Sequence, residues 1–168
     1  MCIRDSTTTV DEFSQIEDFE SGLVLLQNVS GDDFDWTLSN TTTGTPTNNT
    51  GPTAAFQGDY FAYTECSGNG IGTNDVAILE TSCLDFSSNT APWMSFYLHM
   101  YQGQNSGWSQ ASSMGQLVVQ VTTNPTATNP TWTTLSGGNF NSYNVNSWAL
   151  FTIDLSSYTN QTIKIRFR

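Results

Sequence analysis

One histidine, three cysteines and fifteen carboxylates are the side chains in this 168-residue sequence that bear on covalent, acid–base or metal chemistry. His99 sits between Leu98 and Met100 in the apolar run Trp93–Tyr101, a setting that suits a hydrogen-bonded structural histidine better than a general base. A serine nucleophile on a strained elbow needs a Gly-x-Ser-x-Gly run, and the sequence has none. Glycoside hydrolysis needs two carboxyls about 5 to 9 Å apart. Glu65 and Glu80 are the best interior pair. Pairing 60–66 with 76–81 as a hairpin sets Glu80 opposite Ala62, an odd offset from Glu65, which turns the two carboxyls to opposite faces. The chain is therefore read as a non-enzyme.

Cys2, Cys66 and Cys83 show no CxxC spacing, so zinc and thioredoxin-type sites lack support. The same hairpin separates Cys83 from Cys66 by roughly 23 Å at strand rise, against the limit of about 7 Å for a disulfide. That predicts free thiols, or partners outside the fragment. Nine of the fifteen acids fall at or before Asp35. Calcium takes several oxygen ligands, carboxylates among them, and Glu20, Asp33 and Asp35 are candidate ligands for a structural calcium ion beside the first strand. The competing reading is a solvated acidic face. Asp32-Asp33-Phe34-Asp35 lacks the glycine and terminal glutamate of an EF-hand loop. Trp108, in the polar stretch 102–115, is the candidate exposed ligand contact, suited to a protein interface or to stacking a sugar ring.

The elements that would position these groups are short strands punctuated by Gly, Pro, Asn and Thr. In Thr162–Arg168, Ile163, Ile165 and Phe167 share one face and Lys164, Arg166 and Arg168 the other. In Trp93–Tyr101, Met94, Phe96, Leu98 and Met100 alternate with Trp93, Ser95, Tyr97 and His99. Further strands are predicted at 60–66, 76–81, 116–122, 131–136 and 149–156, with shorter ones near 17–20 and 35–39. The fold class is all-β, an antiparallel sandwich or barrel.

Composition narrows the function. Four basic residues against fifteen acids give a net charge of −11, which opposes nucleic acid and anionic membrane. No apolar run approaches the ~18 residues of a membrane span. The opening Met1–Ser6 matches no structural pattern and resembles the translated remnant of a sequencing adapter. Residues 1–12 are read as a leader, with 1–6 set aside, and 13–168 as one domain.

Several runs occur in a telling order: Asp18-Phe19-Glu20-Ser21-Gly22, Asp32-Asp33-Phe34-Asp35-Trp36, Gly51-Pro52-Thr53 and Gly58–Glu65, then Ala77–Asp85, Met94–Tyr101, Gly115–Val119 and Trp148. Together, over residues 16–168, they resemble the MAM domain, the extracellular module named after meprin and the receptor tyrosine phosphatase mu. The resemblance implies a jelly-roll β-sandwich and a non-catalytic adhesion or interaction module of a larger secreted or cell-surface protein. The partner it implies is a protein or a cell-surface glycan, with self-association open, no nucleic acid and no membrane insertion. A carbohydrate-binding module of the same architecture is the alternative. Trp36 and Trp148 fall at positions the family buries. The vertebrate members carry more cysteines, including one near the Phe-Glu pair, where this sequence has Ile16 and Glu17; their disulfide scheme does not transfer. The family also runs on past the Ile163–Phe167 strand, so a final strand is expected to be missing, with an unpaired sheet edge left behind.

Overall fold

The computed structural model describes residues 15–40, 51–64, 71–101 and 115–168. Among them the regular structure is strand, apart from one 3-10 turn at Ser156–Tyr158. In chain order the strands are β1 (Leu26–Asn28), β2 (Thr37–Asn40), β3 (Tyr60–Tyr63), β4 (Leu79–Thr81), β5 (Leu84–Asp85), β6 (Trp93–Met100), β7 (Val118–Thr122), β8 (Thr133–Asn139), β9 (Val145–Asp154) and β10 (Thr162–Phe167). Every pairing is antiparallel. The largest sheet runs β1-β4-β10-β7-β8, with β5 also on β10; β2–β3 and β6–β9 form two-stranded ribbons.

Strand β10 shows how the alternation dictates the packing. Ile163 and Ile165 are fully buried, each stabilising the fold by about 1.5–3 kcal/mol. On the other face Lys164 pairs with Glu80 at 2.6 Å, and the Arg166 guanidinium lies 4.3 Å over the Trp132 ring. Strands β4 and β5 lie along one side of β10 and β7 along the other. Between β4 and β5 the Ile165 amide finds the Thr81 hydroxyl at 3.0 Å in place of a ladder carbonyl. In β8, Gly138 packs so close that an added Cβ would lie 2.7 Å from the Val119 carbonyl, and Gly137 has φ 77°. These glycines form the bulge where the β7–β8 register shifts.

The inner face of the large sheet, with Val119, Val121, Leu135, Ile163 and Ile165, shares one core with Met94, Phe96, Leu98, Phe151 and Ile153 of the β6–β9 ribbon. The result is a sandwich-like, all-β molecule. Phe96 sits at the junction, edge-on to Phe140 and Phe167.

Three expectations are corrected. The 60–66 with 76–81 hairpin does not form: β3 pairs β2, while β4 pairs β1 and β10 in another sheet. Strand β3 pairs with the strand before it rather than the one after, and β4 takes partners distant in sequence. The register that separated the cysteines therefore does not exist. Cys83 is disulfide-bonded rather than free; Cys2, Cys66 and Glu65 lie outside the described residues. Residues 17–20 are irregular rather than strand and lead into a turn at 19–22, with Phe19 at φ 65° and Gly22 at φ 96°, and the first described strand comes later, at β1.

Candidate functional site

The β6–β9 ribbon has two unlike faces. Met94, Phe96 and Leu98 pair with Ile153, Phe151 and Ala149 and turn to the core. By period two, their neighbours turn outward: Trp93 across from Asp154, Ser95 from Thr152, and Tyr97 from Leu150. Trp93 is 65% exposed, Leu150 54% and Tyr97 41%, and Phe56, 48% exposed, stacks on Tyr97 with ring centroids 3.4 Å apart. Large apolar side chains thus gather on the outside of a ribbon whose inside is already core.

A bulge divides this face. Leu98 pairs with Ala149 but Met100 with Val145, so His99 stands opposite Asn146, Ser147 and Trp148. His99 Nε2 lies 3.1 Å from Asn146 Oδ1, and its ring meets Trp148 edge-on at 5.7 Å. Burial lowers the His99 pKa below its usual 6.5, with the Asn146 bond opposing the shift. Trp148 donates its indole N–H to the Ala54 carbonyl at 2.9 Å and packs edge-on against Phe61. This end of the face is covered by the chain itself. The Trp93 end is open: Ser95, Thr152 and Asp154 are exposed beside the indole. The Ser156 amide donates to Asp154 Oδ1 at 2.8 Å, and its bonds hold that carboxyl below the usual carboxylate range.

Two of the sequence-predicted acids, Glu20 and Asp33, accept backbone amides. Glu20 Oε1 accepts from the amides of Asp59 and Tyr60, at 2.8 and 2.9 Å. Asp33 Oδ2 accepts from Val76, and its neighbour Asp32 from Ile78. Glu17 Oε2 gathers the amides of Val24, Leu25 and Leu26. Glu20 and Asp33 each tie a distant backbone segment to the amino-terminal stretch, and no group of three Asp, Glu, His or Cys among the described residues is placed to hold a metal. Asp35 is exposed, next to Trp36. Trp36 packs against the core, as expected; Trp148 is half-buried on the outer side of the ribbon. Trp108 lies outside the described residues.

Sequence reasoning passed over Trp93, Tyr97, Leu150 and Phe56 in favour of Trp108 because it weighted polar neighbours. The signal was in the alternation of β6, which already set Trp93 and Tyr97 opposite the Met94–Phe96–Leu98 face. A shallow, open depression of about 380 Å³ lies elsewhere, lined by Val121, Thr123, Asn124, Thr131, Thr133 and Tyr158. No family model matches the chain, and no curated protein matches it.

Proposed function

We propose that the chain is a non-catalytic, extracellular adhesion or interaction module, a jelly roll of MAM type, that engages its partner with the outward face of the β6–β9 ribbon. The observation that carries this is the set Phe56, Trp93, Tyr97 and Leu150, exposed together on the ribbon face that looks away from the core. Burying such side chains against a partner gains about 25 cal/mol per Å² of apolar surface, and exposed aromatics are the usual anchors of contact surfaces. The ordered motifs from Asp18 to Trp148 support the family, and the strand-rich antiparallel architecture is compatible with a β-sandwich.

Adhesion of beads coated with the domain to cells and to extracellular matrix films tests it. The Trp93→Ala/Leu150→Ala double variant is expected to lose adhesion while keeping the parent melting temperature. Equal adhesion by the double variant removes the face from the reading; substrate turnover by the purified chain removes the non-catalytic role.

A further inference from the structure

Resting on the reading of this ribbon face as the contact surface, we propose that its open end binds a neutral saccharide, with a pyranose ring stacked on Trp93. Trp93 is the most exposed aromatic side chain among the described residues. Around it, on the same face and in register, stand the Ser95 and Thr152 hydroxyls and the Asp154 carboxylate. An apolar plate ringed by hydroxyls and one carboxylate matches a sugar, which presents an axial C–H face and a rim of hydroxyl donors and acceptors. Tyr97, four residues along β6, lies about 13 Å from Trp93 at strand rise, with the Ser95–Thr152 hydroxyl pair between. A short oligosaccharide laid along the strand therefore meets an aromatic, a polar strip and a second aromatic in turn.

Charge selects among ligands. The carboxylate of Asp154 is the one formal charge among Trp93, Ser95, Tyr97, Leu150, Thr152 and Asp154, and its bonds from Ser156 keep it ionised. Lys164 and Arg166 lie on the outer face of the other layer, held by Glu80 and Gln120. An anionic sugar would thus meet like charge, with no cation among those six residues to offset it. A second copy of the chain is disfavoured on the same ground, because each carries a net charge of −11.

Affinity gel electrophoresis of the full chain in soluble β-glucan, xylan, mannan and polygalacturonate tests the proposal. Retardation is expected in at least one neutral polymer. Trp93→Ala should weaken it about tenfold or more, Trp93→Phe should keep most of it, and both variants should melt with the parent. Retardation unchanged by Trp93→Ala overturns the site, and stronger retardation in polygalacturonate overturns the neutral ligand. Absence of retardation in all three neutral polymers, while coated beads still adhere through Trp93 and Leu150, overturns the saccharide and leaves the contact face standing.

Discussion

His99 is the side chain whose titration reports on the covered end of the ribbon face. Packed beside Trp148 and bonded to Asn146, it is partly withdrawn from water, and that withdrawal depresses its pKa in the folded state below 6.5. The stability contributed by the neutral ring is full above the unfolded value. As pH falls below about 6.5, the unfolded chain takes up the proton first, and the contribution is lost down to the folded pKa. The midpoint of the His99 ring resonances by NMR is expected below the unperturbed value, and Asn146→Ala should lower it further because that bond favours the charged ring. A midpoint at or above the unperturbed value contradicts the burial of His99. Elsewhere, single carboxylates act as backbone anchors. Glu17 satisfies three consecutive amides leading into β1, a task that Asp-Phe-Glu composition does not distinguish from cation binding.

Among the elements, the β7–β8 pair depends on one small residue. Gly138 lets the β8 bulge close onto Val119, and a methyl group there would meet the carbonyls of Val119 and Leu135 at 2.7 and 3.0 Å. Neither acceptor is the end of a flexible side chain. Gly138→Ala is expected to destabilise the fold by about 2–4 kcal/mol, measured as a lowered urea midpoint; an unchanged midpoint would show that the strands can part without cost. The elements were unevenly legible in the sequence. Strands β6 and β10 could be read almost to the residue because each has one face in the core, and strict alternation follows. The 60–66 with 76–81 pairing failed because alternation says which face is buried, not which strand lies alongside. Residues 17–20 are expected from the sequence as a short strand, yet Asp18 and Glu20 accept backbone amides and the backbone at Phe19 turns left-handed. The open ribbon face was half legible: alternation set Trp93 and Tyr97 apart from the core, but nothing local told that Leu150 and Phe56 would join them.

Across the whole molecule the charge is lopsided. Fifteen acids face four basic residues, and Lys164 and Arg166 are already engaged on the outer face of the large sheet. Self-repulsion of this size works against compactness and is screened by salt. The melting temperature is therefore expected to rise from low ionic strength to about 0.5 M sodium chloride, and a fall on adding salt would mean that specific ion pairs outweigh the net charge. The large sheet has a second global property. Its middle strand, β10, is the last of the ten to leave the ribosome, and the strands that flank it, β4, β5 and β7, emerge well before it. A nascent chain that has reached only residue 155 therefore carries two halves of a sheet with a gap between them, each presenting a bare backbone edge to whatever protease, chaperone or neighbouring chain is at hand. Until Thr162–Phe167 pairs with β4 and β7, those two edges stay open.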